Sequence, residues 1–170
     1  ASFGGARTDL TRAFAGCATD LRGEKTVTYR FTDTVVTGGC ILDGAFANAF
    51  TTEDVAADSC VSFTARSSSG AVASAVSVFE PDDAAADPCM MPKMDFSGFG
   101  GVSVQVGSSG SAARMFAGNA AVTQVTTDAS ATSGIIFPRA ANWGNTTSAA
   151  YMFAGCEKLE RAEVTDLCKN

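Results

Sequence analysis

Phenylalanine recurs at a regular interval along the chain, within short motifs that are rich in alanine and glycine. The leading phenylalanines are separated by 32, 33, 37 and 37 residues. Self-similarity with a period of this size is typical of proteins built from stacked structural units. The motifs are Phe14-Ala-Gly-Cys17, Phe46-Ala-Asn-Ala49, Phe79-Glu-Pro-Asp82, Phe116-Ala-Gly-Asn119 and Phe153-Ala-Gly-Cys156.

A second phenylalanine follows the leading one in four of these units. Phe31, Phe63 and Phe96 each lie 17 residues after it, and Phe137 lies 21 residues after it. The sequence alternates or is β-branched at 26–31, 60–63 and 134–137, which predicts short strands. Around the leading phenylalanines, as at 111–118, alanine, arginine and methionine precede a glycine, which predicts one or two turns of helix that glycine caps.

These patterns predict a repeat solenoid, similar to leucine-rich repeats, in which short β-strands alternate with short helical turns. About five units of 32 to 37 residues, starting near 14, 46, 79, 116 and 153, form a single domain over residues 1–170. One unit is too small to bury its own apolar face, so neighbouring units must stack. The last unit is incomplete, so we expect a continuation or a bound neighbour beyond it. An ordinary α+β domain, with the motif recurring because alanine and glycine are abundant, is the alternative.

The predicted core consists of the phenylalanines of both series and three aliphatic residues beside them. Truncation of such large buried side chains is expected to destabilise the fold strongly. The core residues are Phe14, Phe31, Phe46, Phe63, Phe79, Phe96, Phe116, Phe137 and Phe153, with Leu21, Val125 and Leu159.

The stretch Ser148-Ala-Ala-Tyr-Met-Phe-Ala-Gly-Cys-Glu-Lys-Leu-Glu-Arg-Ala-Glu-Val164 resembles the repeat of BspA-like leucine-rich-repeat surface proteins, which carry a M-F-x-G-C-x-x-L-x-x-L core. Residues 112–125 match with Asn119 in place of the cysteine, and residues 10–21 match in part. The resemblance implies an interior of phenylalanine and leucine, a Cys or Asn at a tight turn, and a curved array used for adhesion. It brings no catalytic residues. The period here exceeds the range for leucine-rich repeats, so each unit would need an added strand or loop.

Composition narrows the possible partners. Hydrophobic residues make up 46% of the chain and charged residues 18%, which predicts a folded protein. The net charge is −6 and the 12 basic residues are scattered, so a nucleic-acid partner is not expected. The longest apolar stretch, 71–79, is too short to span a membrane. The chain begins Ala-Ser-Phe without methionine, as a processed form or an excised fragment would.

Six cysteines are present, without a C-x-x-C pair and without any histidine, so neither a metal site nor a cofactor is predicted. An even count allows up to three disulfides, and Asn145-Thr-Thr is a possible glycosylation site. Both features favour an extracellular or cell-surface location, with the lumen of an organelle or a virion as the alternative. Within or between adjacent units, Cys156 could pair with Cys168, and Cys40 with Cys17 or Cys60. The possible disulfide cysteines are Cys17, Cys40, Cys60, Cys89, Cys156 and Cys168.

Candidate chemistry is sparse. Without histidine, the Ser-His-Asp and Cys-His arrangements cannot be built from this chain alone. Acidic clusters at 80–87 and at Glu53, Asp54 and Asp58 could form a glycosidase pair or a calcium site, but they lack an ordered ligand spacing, so solvated loops are favoured. Trp143, the single tryptophan, is a possible partner anchor in a polar loop.

The sequence therefore predicts a non-catalytic module for binding, adhesion or assembly. Its partner would be a protein or a glycan, or the neighbouring subunits of an assembly. An accessory structural subunit of a larger viral or organellar complex is the alternative. A carbohydrate-active enzyme that uses the acidic residues is the least favoured hypothesis.

Overall fold

A computed structural model of the chain describes residues 9–17, 26–36, 40–51, 54–65, 72–98, 112–137 and 149–163. All strand pairings in these ranges are parallel. A six-stranded sheet has the order β1-β3-β5-β7-β6-β8, and β2 pairs with β4 in a separate two-stranded sheet. The strands are β1 (Arg30–Val36), β2 (Cys40–Ile41), β3 (Cys60–Ala65), β4 (Val72–Ser74), β5 (Lys93–Gly98), β6 (Gln124–Thr126), β7 (Gly134–Ile136) and β8 (Arg161–Ala162).

Paired strands of the six-stranded sheet come mostly from segments one sequence period apart. Arg30 pairs with Cys60, and Val61 pairs with Met94. Both pairs are parallel, so after each strand the chain crosses back to the edge of the sheet where that strand began. Parallel neighbours require such crossovers because their ends lie at opposite edges of the sheet. The pair β6 and β7 is an exception, since only residues 127–133 separate these two strands.

The segments around the five leading phenylalanines form a second stacked structure, which we call the turn row. Its five layers are residues 10–17, 42–49, 75–81, 112–118 and 149–155, numbered 1 to 5 in chain order. In each layer the residue two positions before the phenylalanine has a left-handed backbone conformation, with φ between 52° and 56°. These left-handed residues are Arg12, Gly44, Ser77, Arg114 and Tyr151.

Backbone hydrogen bonds in the turn row alternate between two directions. In layer 1, the N–H groups of Ala13, Ala15 and Cys17 donate to carbonyls three residues earlier in the same layer. The intervening N–H groups, those of Arg12, Phe14 and Gly16, donate instead to the carbonyls of Asp43, Ala45 and Ala47 in layer 2. Layer 1 is therefore a run of tight turns in which every second amide forms a rung to the next layer.

The rungs are regular except at one junction. Three rungs join layers 1 and 2, three join layers 2 and 3, and three join layers 4 and 5. Only the rungs from Ser77 to Ala113 and from Phe79 to Met115 join layers 3 and 4. The third is missing because Pro81 occupies the donor position and proline has no N–H group.

The leading phenylalanines stack in a column beneath the turn row. Successive ring centroids are 5.0, 5.4, 5.9 and 5.8 Å apart, and the interplanar angles are 17° or less. The second series packs against this column, as where Phe96 lies edge-on to Phe116 at 5.7 Å. Of the nine predicted core phenylalanines, six are buried, while Phe14, Phe31 and Phe153 are partly buried. Val125 is buried, Leu159 is partly buried, and Leu21 lies outside the described residues.

The predicted leucine-rich-repeat-like solenoid of short strands and short helical turns is wrong. The described ranges contain no helix, and their strands form one six-stranded parallel sheet and one two-stranded sheet. The helical turn predicted at 111–118 is instead a run of turns over the described part of that segment, because Arg114 is left-handed and its N–H group donates to the carbonyl of Ala150 in layer 5. The strands predicted at 60–63 and 134–137 are confirmed as β3 and β7.

Candidate functional site

Side chains at the left-handed positions Ser77, Arg114 and Tyr151, together with Glu80, form a row of polar contacts across layers 3 to 5. The Ser77 hydroxyl donates a hydrogen bond of 2.6 Å to Glu80, whose carboxylate also accepts from the guanidinium of Arg114. The Arg114 guanidinium carbon lies 6.0 Å from the centre of the Tyr151 ring, which is within the range of a cation–π contact. Tyr151 is 72% exposed, so this row of contacts ends at the protein surface.

The carboxylate of Glu80 is held in its charged form by these neighbours. Partial burial acts to raise its pKa, but the hydrogen bonds from Arg114 and Ser77 outweigh burial and hold the pKa below its usual value. A general acid in a glycosidase requires a raised pKa instead. Glu80 therefore has the properties of a structural ion-pair partner.

A shallow groove of about 560 Å³ lies across layers 1 to 3 and shares Ser77 and Glu80 with this row of contacts. Among the residues that line it, the Asp43 carboxylate accepts a hydrogen bond of 2.9 Å from the N–H of Val76. Asp82 at its rim exchanges two hydrogen bonds with Asn48, which leaves less of its carboxylate for a ligand. The groove is lined by Thr11, Arg12, Asp43, Gly44, Ala47, Val76, Ser77, Glu80, Pro81 and Asp82.

Layer 5 presents a row of backbone donors at one end of the turn row. The N–H groups of Tyr151, Phe153 and Gly155 occupy the positions that form rungs in the earlier layers. None of the three donates a hydrogen bond to another described residue. A row of N–H groups of this kind at the end of a hydrogen-bonded ladder is suited to pairing with another chain.

Layer 1 presents the complementary row of acceptors at the opposite end. In layer 2, the carbonyls of Asp43, Ala45 and Ala47 accept rungs from layer 1. The equivalent carbonyls of layer 1 are those of Thr11, Ala13 and Ala15. Within the described ranges these three carbonyls accept no hydrogen bond. The turn row therefore has a direction, because it presents carbonyl acceptors at layer 1 and N–H donors at layer 5.

The residue three positions after the leading phenylalanine follows directly on layers 4 and 5 and bonds to the backbone in both. Asn119 is fully buried, and its side-chain oxygen accepts from the N–H groups of Ala121 and Val122 at 2.8 and 2.9 Å. Its amide nitrogen donates to the carbonyl of Met91 at 3.0 Å. Cys156, three residues after Phe153, is partly buried and donates from its thiol to the carbonyl of Phe116 at 3.1 Å. These two side chains therefore bind backbone groups and are not arranged to bind a ligand.

Four of the six candidate disulfide cysteines are described with their side chains, and all four are free thiols: Cys17, Cys60, Cys89 and Cys156. The side chain of Cys40 and the whole of Cys168 lie outside the described residues. Burial raises the pKa of Cys17, Cys60 and Cys156, and it raises the pKa of Cys89 to about 12. Because the thiolate is the reactive form, these thiols are chemically quiet at neutral pH.

We expect Cys89 to resist alkylation by iodoacetamide in the native protein and to react on unfolding. Its thiolate fraction falls about a thousandfold as the pKa rises from 9.0 to about 12, and its side chain is fully buried. Labelling followed by peptide mass spectrometry, without reductant, measures this directly. Partly exposed Cys156 is the internal control and should react faster in the native state. Equal native labelling of the two, or failure of Cys89 to react in denaturant, would contradict this assignment.

The other predicted site residues are not brought together by the described structure. The Asp58 carboxylate accepts hydrogen bonds from Thr28 and Arg30, and these bonds hold its pKa below the usual value, that from Thr28 having the larger effect. Among described side chains, no group of three or more Cys, Asp or Glu is placed to hold a metal ion. No helix in the described ranges could cross a membrane. Outside those ranges lie Glu53, the possible anchor Trp143 and the possible glycosylation site Asn145.

Sequence reasoning did not identify the set of contacting side chains of Ser77, Glu80, Arg114 and Tyr151 on the turn row. Its members at the left-handed positions share one signal, which is that each stands two residues before a leading phenylalanine. The composition around this position predicts a helical turn, so the sequence gives no sign of the left-handed conformation. Comparison of the chain with protein-family models, curated proteins and solved structures found no match.

Proposed function

We propose that this chain is a non-catalytic binding or assembly module that engages a protein partner through the layer 5 end of its turn row. The observation that carries the proposal is the row of N–H groups at Tyr151, Phe153 and Gly155, which have no acceptor among the described residues. An extended partner segment would accept these hydrogen bonds, as peptides do when they add to the edge of a sheet.

Side chains at this end support the same function. Layer 5 carries two aromatic residues two positions apart, Phe153, which is partly buried, and Tyr151, which is exposed. Aromatic residues are enriched at the energetic centres of protein interfaces because they bury a large area with few rotatable bonds. The resemblance to BspA-like surface proteins, which use their arrays for adhesion, points in the same direction, and with it we propose an extracellular or cell-surface location.

The proposal predicts that a partner slows amide exchange at layer 5. The test compares hydrogen exchange of the chain purified from its native source under mild conditions with that of the isolated chain in dilute solution. Peptides that cover 150–156 should exchange at least about tenfold more slowly in the native-source material, because bound amides exchange only when the partner releases them. The intact native-source material should also run on a sizing column with a mass above the 17.3 kDa of the single chain.

Layer 4 is the matched control for this measurement. The N–H groups of Arg114, Phe116 and Gly118 already form rungs to layer 5, so their protection should be similar in both samples. Equal exchange at 150–156 in the two samples would mean that no partner covers this end and would overturn the proposal. Co-purification with a large assembly would favour the accessory-subunit form of the function over adhesion to a separate ligand.

A further inference from the structure

We infer that the partner at layer 5 is a second copy of this chain, stacked head to tail so that its layer 1 continues the turn row. This inference rests on the proposed function and names the partner for the same end. It is carried by three matching features of the two ends, which are the backbone groups, the phenylalanine column and one pair of side chains.

The backbone groups of the two ends match in number and kind. Three donors, on Tyr151, Phe153 and Gly155, stand at layer 5, and three carbonyls at the positions that accept rungs in other layers stand at layer 1. Neither set has a hydrogen-bond partner among the described residues. Stacking layer 1 of one copy on layer 5 of another would form three rungs, which is the number that joins layers 4 and 5 within one chain.

The phenylalanine column continues across the same junction. Phe153 and Phe14 are the last and first rings of the column, and both are only partly buried, whereas the three rings between them are buried. Within the chain, each step of the column is 5.0 to 5.9 Å between ring centroids. A further step of this size between Phe153 and the Phe14 of a second copy would remove the apolar surface of both terminal rings from water.

One pair of side chains repeats an arrangement already present in the chain. Arg114 contacts the ring of Tyr151 from layer 4, and each is the residue two before its leading phenylalanine. Arg12 holds the same position in layer 1, is exposed, and has no ion-pair partner among the described residues. In the stack, Arg12 of the second copy would lie beside Tyr151 on the side away from Arg114, giving the tyrosine a second cation–π contact.

A junction of this type is heterologous, because layer 5 of one copy meets layer 1 of the next. Heterologous contacts leave one unused end of each kind on a dimer, so growth continues past two copies, to a ring if the rotation closes and to a filament if it does not. The inference therefore specifies oligomers larger than a dimer, formed by the purified chain without any other component.

Sedimentation velocity of the recombinant chain, from low to high micromolar concentration, tests this directly. We expect the weight-average mass to rise from 17.3 kDa past that of a dimer as concentration increases. Arg12→Glu should weaken association about tenfold by removing the cation beside Tyr151, and Tyr151→Lys should do so by placing like charges together. The double variant Arg12→Glu with Tyr151→Lys should recover most of the loss, because the two new charges attract.

Thr132→Lys is the matched control, since it adds the same charge as Tyr151→Lys at an exposed residue between β6 and β7. It should associate as the wild type does, and thermal melts establish that every variant is folded. A wild-type chain that stays monomeric, one that stops at a dimer, or a double variant without recovery would each overturn the inference. If the wild type is monomeric but layer 5 is protected in native-source material, the partner is a different protein and the proposed function stands.

Discussion

Replacing Phe116 with alanine is expected to lower the free energy of unfolding by about 3 to 5 kcal/mol, within the range measured for truncation of large buried side chains. Phe116 is fully buried and stands at the centre of the aromatic core. Its ring lies 5.9 Å from Phe79, 5.8 Å from Phe153 and 5.8 Å from Phe137. Since layers 3 and 5 fix the ring from both sides, the surrounding structure cannot easily collapse into the space that it leaves.

Chemical denaturation at low protein concentration measures this loss, and Phe153→Ala provides the comparison. Phe153 is only partly buried and contacts one ring of the column, that of Phe116. Its truncation should therefore cost roughly half as much, because less surface returns to water. An unchanged melting curve for Phe116→Ala, or an equal loss for the two variants, would contradict the stacked column.

Gly118→Ala is expected to cost about 2 to 5 kcal/mol, which combines backbone strain with a steric clash. Gly118 has φ +73°, a conformation that L residues adopt with difficulty. A Cβ atom there would lie 2.7 Å from two ring carbons of Pro81 and 2.9 Å from the Cβ of Ala84. Proline is rigid, so layers 3 and 4 would have to separate locally to admit the methyl group.

Gly16→Ala separates the two contributions. Gly16 has φ +70°, almost the same as Gly118, but an added Cβ would meet no atom within 4 Å. This variant should show the backbone term alone, about 1 to 2 kcal/mol. Thermal or chemical denaturation of both variants gives the difference, about 1 to 3 kcal/mol, as the cost of the clash. Equal losses would show that the contact between Gly118 and Pro81 is not as tight as described.

Much of the apolar interior can be predicted from the sequence, because the nine phenylalanines of the two series lie in it, six of them buried and three partly buried. The strands at β3 and β7 can also be predicted, since β-branched residues beside an anchor favour extended backbone. The first strand was predicted at 26–31 but lies at Arg30–Val36. Its pairing with β3, which no local pattern encodes, sets its extent.

The turn row could not be predicted because its local composition argues for a different structure. Alanine, arginine and methionine around Phe116 have high helix propensity. Arg114 is left-handed instead, because every second N–H group is satisfied by the neighbouring layer and not by the helical partner four residues earlier. Such an override depends on a segment one period away in the sequence. The same reasoning explains why Tyr151 was not recognised as a surface residue with a defined neighbour.

Pro81 leaves the junction of layers 3 and 4 with two rungs where the others have three. In a stack whose units contact only their neighbours, the free energy of partial opening depends on the weakest junction. Between layers 3 and 4 the side chains make up for the missing rung, because the ion pair of Glu80 with Arg114 and the stacking of Phe79 on Phe116 cross this junction. A partner that binds layer 5 would act on layers 1 to 3 through these contacts.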